Sequence, residues 1–97
     1  MTLQQLKYFV ETIHFGSISK AAENLYISQP SLSHALGELE AEIDCNLLTR
    51  SSKGVSPTND GAEFLGYARQ VLEQANLLEQ RWLHKRPARR LCSISTQ

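Results

Sequence analysis

From Ser28 to His34 the chain reads Ser-Gln-Pro-Ser-Leu-Ser-His, five hydrogen-bonding side chains in seven positions. Hydroxyl, carboxamide and imidazole groups at this density suit directional hydrogen bonding to polar edges such as those of nucleic-acid bases and phosphates. Covalent catalysis needs a different pattern. No serine here has a base and an orienting acid at a recognisable spacing, His14, His34 and His84 are scattered, and no glycine-rich loop is present to cradle a phosphate. Cys45 and Cys92 lack metal-ligand spacing and read as two reduced thiols. The chain is therefore expected to be no enzyme and to hold no metal and no cofactor.

Two short amphipathic segments position this polar cluster. In Ser17 to Ile43, Ala21 and Ala22 keep one helix face small enough for a second helix to cross closely, and Leu25 and Ile27 supply apolar contacts at the corner. Ser28 is the natural N-cap of the second helix, and Pro30 falls in its first turn, where a missing N–H costs nothing. Leu32, Leu36, Leu39 and Ile43 step by four, three and four, the spacing of one buried stripe. Pro30, Ser33, His34 and Gly37 then face away from it, with Gln29 at the leading end. The segment reads as a helix-turn-helix, whose second helix presents short polar residues to a DNA major groove.

The flanking segments complete a small domain. Thr2 and Gln5 form a capping box, Leu3, Leu6, Phe9, Val10 and Ile13 make a buried stripe, and Gly16 ends the first helix. Leu47 to Arg50 and Val55 to Pro57 flank Ser51-Ser52-Lys53-Gly54 and predict a two-stranded wing carrying Arg50 and Lys53. Thr58 caps a last helix that Pro87 limits. Its stripe runs through Leu65, Ala68, Leu72, Ala75, Leu78 and Trp82, widened by Phe64 and Val71. The first turns can pack on the body, whereas Val71 to Trp82 have nothing within the chain to cover them, so a second copy is the expected cover. The predicted fold class is mainly α, a winged helix-turn-helix of three helices plus a short two-stranded wing over residues 1–58, with a long C-terminal linker helix over 59–86. Residues 87–97, with an alternating run from Leu91 to Ser95, form a tail.

Charge is unevenly spread. Residues 1–80 hold five basic and ten acidic groups, a net of minus five, while residues 81–97 hold five basic groups and no acid. Phosphate contacts usually dominate DNA affinity, so that contribution is expected to be small for one copy. The acidic body leaves a second reading open, a winged-helix module that binds protein without specific DNA binding. At 97 residues the chain is one domain, no run approaches the ~20 apolar residues of a membrane span, and the N-terminus lacks a signal-peptide layout. A cytoplasmic location is expected.

Together the pair Tyr8-Phe9, Gly16-Ser17, Ala21-Ala22, Ser28-Gln29-Pro30, Leu32-Ser33, Leu39-Glu40, Arg50, and Thr58 followed by Gly61 resemble the N-terminal DNA-binding domain of LysR-type transcriptional regulators, over Leu3 to about Trp82. The resemblance implies a homodimer, paired through the linker helix, that binds double-stranded DNA at an interrupted inverted repeat. In a full-length parent it also allows a higher oligomer. It implies groove contacts by Gln29, Pro30, Ser33 and His34, and phosphate contacts by Ser28, Ser31, Arg50 and Lys53. Phe64, Leu65, Ala68, Val71, Leu72, Ala75, Leu78 and Trp82 would serve assembly. A C-terminal effector-binding domain would begin in the tail, so the chain reads as a fragment of a longer regulator, with a natural short form as the alternative. Two departures stand out. Asp44 occupies a position where the pattern usually has glycine, so that corner is expected to be built differently. His34 stands where relatives commonly place an arginine, and an imidazole gains charge as pH falls through the neutral range.

Overall fold

The computed structural model describes residues 1–85; Pro87, Cys92 and the tail expected over 87–97 lie outside the described residues. The order is α1 (Leu3–Phe15), α2 (Ile18–Leu25), α3 (Gln29–Ile43), β1 (Leu48–Ser51), β2 (Gly54–Pro57) and α4 (Asn59–Lys85). This is the winged helix-turn-helix that the sequence predicts.

Each helix starts where a side chain can receive an otherwise unpaired amide. Thr2 and Gln5 cap α1 reciprocally, Ser17 Oγ accepts from the Lys20 amide, and Ser28 Oγ accepts from the Ser31 amide. Thr58 Oγ1 accepts from the Gly61 amide at 2.9 Å at the head of α4. Three helices end on a left-handed residue: Gly16 after α1, Tyr26 after α2 and Asp44 after α3. Asp44, with φ 54° and ψ 49°, corrects the expectation of a differently built corner. It adopts the conformation a glycine would, its amide bonding back to Ala41 and Glu40, and a short Asp side chain visits this region at lower cost than most.

The core forms where α1, α2 and α3 converge. Phe9, Ala21, Leu32, Leu36, Leu39 and Leu47 are at most 1% exposed, and Ala22 is nearly so. Two small residues side by side on α2 bring its backbone close to its neighbours, and the α3 leucines fill the space behind. Phe64 of α4 packs edge-on against Phe9 with ring centroids 5.4 Å apart. Thr12 is fully buried, and its hydroxyl donates to the Tyr8 carbonyl at 2.7 Å, which removes the cost of burying it.

The wing is an antiparallel pair with Arg50 opposite Val55 and Ser51 opposite Gly54. It is fastened to the body at its turn and at its root. The Val55 amide donates to the Gly16 carbonyl at 3.0 Å, and a Cβ on Gly54, whose φ is 129°, would stand 2.3 Å from that same carbonyl oxygen. At the root, a Cβ on Gly61 would lie 2.0 Å from the Leu47 carbonyl oxygen, so only glycine lets α4 leave at this angle. No helix among the described residues is long and apolar enough to cross a membrane.

Candidate nucleic-acid interface

The start of α3 carries the polar cluster outward. Gln29 and Pro30 are exposed in its first turn, Ser31 is exposed beside them, and His34 and Gly37 follow on the same outward side. Ser33 lies half-buried on the flank of that surface. Leu32, Leu36 and Leu39 hold the opposite side in the core, which fixes the helix's rotation and hence the face it shows. Gly37 has open space around it, so its lack of a side chain serves no packing need within the chain and leaves the outer face flat.

Hydrogen bonds organise this surface. Ser28 Oγ, besides capping α3, donates to Ser31 Oγ at 2.9 Å. Arg50 reaches from β1 across to α3, and its Nη1 donates to Ser33 Oγ at 3.0 Å. The arginine expected on the flank is thus joined to the recognition helix itself. Lys53 sits exposed at the wing turn, with its amide donating to Ser51 Oγ. His34 Nε2 lies 3.5 Å from a Glu38 carboxylate oxygen one turn along, in a largely exposed pair.

Sequence reasoning noted Glu40 only as part of the family pattern and missed its role. Its Oε2 accepts from the amides of Leu47 and Leu48, at 2.7 and 3.1 Å, and so ties the root of the wing to α3. A charged acceptor shared by two amides holds both more firmly than a neutral one would. The available signal was its position, a carboxylate directly beside the apolar stripe of α3, where a solvated charge has no reason to sit. Cys45, at the junction of α3 and α4, has its thiol pushed above the usual range. The largest cause is the hydrogen bond to Asp60 Oδ2 at 3.2 Å, followed by desolvation and the nearby charges of Asp60 and Asp44.

The apolar residues of α4 divide between two destinations. Phe64, Leu65 and Ala68 pack on the chain's own body. Leu72 and Ala75 are half-buried and share a cleft with Leu3, Tyr8 and Leu25. They correct the expectation that nothing in the chain covers the later turns, because α4 leaves alongside α1 and its inward side stays over the body. Val71 is 45% exposed, Leu78 59% and Trp82 50%, and the sequence reading left out Tyr67, which is 63% exposed. Among the described residues no group of three or more histidine, cysteine or acidic side chains is placed to hold a metal ion.

Comparison with known proteins places this geometry. Residues 3–62 match the family model described as bacterial regulatory helix-turn-helix protein, lysR family. The nitrogen assimilation regulatory protein nac of Klebsiella aerogenes is 46% identical over 74 residues, which cover 76% of this chain and 24% of that protein. The chain thus spans about a quarter of the length of such curated relatives, which are regulators rather than enzymes. Among solved structures, the CbnR_DBD-DNA complex superposes with a TM-score of 0.82 at 36% identity, covering 88% of this chain and 98% of that one. The BenM_DBD/catB site 1 DNA complex follows with a TM-score of 0.77 at 39% identity, covering 91% and 92%. With the helix-turn-helix, the wing and the matched residues in agreement, the chain belongs to the LysR family of bacterial regulatory helix-turn-helix proteins.

Proposed function

We propose that this chain is the DNA-reading part of a homodimeric LysR-type transcription regulator that binds an interrupted, two-fold-related double-stranded site and works in the cytoplasm. The observation that carries this reading is the outward surface of α3, small and polar from Gln29 to Gly37, with Arg50 of the wing fastened beside it. The solved relatives in complex with DNA support it. Gln29, Ser33 and His34 reach for base edges, and Pro30 offers an apolar contact such as one with a thymine methyl. Ser28, Ser31, Arg50 and Lys53 serve the phosphates, with residues 1–58 forming the reading head and 59–86 the arm.

Pairing follows from the outer side of α4. Tyr67, Val71, Leu78 and Trp82 are spaced symmetrically about the midpoint between Gln74 and Ala75. An antiparallel second copy brings Tyr67 opposite Trp82 and Val71 opposite Leu78. A parallel pair would set like charges together. The acidic body favours the second reading, a protein-binding winged helix. Gel shift and footprinting on DNA upstream of the gene separate the two. The DNA reader forms a discrete, competitor-resistant complex with two protected tracts, and a complex that any DNA competes away equally would end this proposal.

A further inference from the structure

We propose that Arg50 fixes the polarity of Ser33, so that Ser33 reads only hydrogen-bond acceptors on a base edge and Arg50 helps determine specificity without touching the base. The inference rests on the DNA-binding reading above.

A serine hydroxyl carries one proton and two lone pairs, so a serine alone on a recognition helix accepts from one base as readily as it donates to another. Ser33 lacks that freedom. Arg50 Nη1 donates to its oxygen at 3.0 Å, and a guanidinium has no acceptor with which to reverse the bond. One lone pair is thereby occupied by a charged donor, which also polarises the O–H bond toward donation. The hydroxyl proton itself is unspent, because among the described residues the bond from Arg50 is the hydrogen bond that the Ser33 hydroxyl takes part in. Other hydroxyls differ: Thr12 and Thr58 donate theirs to backbone carbonyls of Tyr8 and Asn46, and Ser28 gives its own to Ser31.

Several ties deliver the guanidinium to this spot. Arg50 pairs with Val55 across the wing, Val55 is bonded to the Gly16 carbonyl, and Glu40 holds the amides of Leu47 and Leu48 at the root. Ser33 then discriminates by charge as well as by geometry. Guanine O6 or N7, thymine O4 and adenine N7 accept its proton. The N4 amino group of cytosine brings a second donor toward an oxygen already facing a cation. The base opposite Ser33 is therefore restricted to one with an acceptor, and cytosine is disfavoured there.

The experiment selects duplexes from a random-sequence library with the wild-type chain. It then titrates wild type, Ser33→Ala, Arg50→Met and the double variant against the selected duplex carrying each of the four bases at every position. For wild type, one position is expected to bind cytosine roughly five- to tenfold more weakly than the other bases. Ser33→Ala and Arg50→Met are each expected to flatten that same position to within about twofold, with no further flattening in the double variant. Arg50 is exposed on the wing, so its replacement leaves the core intact. If Arg50→Met weakens every duplex alike and keeps the cytosine penalty, Arg50 is a phosphate contact only and the inference falls. Persistence of the penalty in Ser33→Ala overturns it equally. A library from which no duplex is enriched refutes the DNA-binding reading itself, and this inference with it.

Discussion

Helices α3 and α4 are both amphipathic, yet their apolar faces meet different fates. In α3 the leucines at 32, 36 and 39 are sealed in the core, and the outward face is polar and flat. In α4 the inward face is partly covered by α1 and α2, while Tyr67, Val71, Leu78 and Trp82 keep about half or more of their surface exposed. A periodic apolar pattern therefore states only that a face wants cover. Whether the cover lies in the same chain depends on how far the helix runs past its own body, and at ~1.5 Å per residue a helix of 27 residues extends roughly 40 Å, well beyond it.

The contrast is broken most severely in the core. Leu39→Ala is expected to cost about 2–5 kcal/mol of folding stability in urea titrations. Leu78→Ala should change the stability of the helix-turn-helix by less than about 0.5 kcal/mol. Equal losses at the two sites would erase the distinction. Next in size, Leu78→Glu is expected to weaken self-association roughly a hundredfold or more in sedimentation while helix content is retained. Leu72→Glu should disturb the body as well, since Leu72 is half-buried against it. Wild-type dimerisation by Leu78→Glu would move the pairing surface elsewhere.

Smaller effects sharpen the comparison. Gln29→Ala is expected to lose about 1–3 kcal/mol on the selected site and little on random DNA, as titrated by anisotropy. A uniform loss would make Gln29 a general contact. The seam between the two helices is probed through Cys45, whose raised pKa leaves less thiolate at a given pH. In a Cys92→Ser background at pH 8, alkylation of Cys45 should run slower than that of an unhindered thiol. Asp60→Asn should speed it a few-fold by removing the charged acceptor. No change on that substitution would show that Asp60 does not set the reactivity of the thiol.

What was legible in the chain was local. The capping box at Thr2 and Gln5, the Ser28 cap with Pro30 behind it, the stripes and the wing turn each rest on residues within four or five positions of one another, where backbone geometry dictates partners. The illegible features are long-range or depend on tertiary override. Glu40 bonds seven and eight residues ahead and Arg50 reaches back seventeen, spans over which spacing carries no geometric information. Tyr26 and Asp44 take left-handed conformations that composition assigns to glycine, because the packing of the helices on either side demands the corner. The covered half of the α4 stripe became visible only once the direction of α4 along α1 was known.

Gly61 gives that direction a mechanical meaning. With its α-carbon seated against the Leu47 carbonyl, α4 springs from the reading head at a set angle, like a caliper arm clamped at its pivot. The centre of the symmetric apolar spacing lies about 20 Å along the arm. A rotation of ~10° at the pivot would shift that centre by roughly 3.5 Å, close to one base-pair step. In the proposed dimer, the distance between two reading heads, and so the length of DNA between two half-sites, would follow from the angle that Gly61 sets at this pivot.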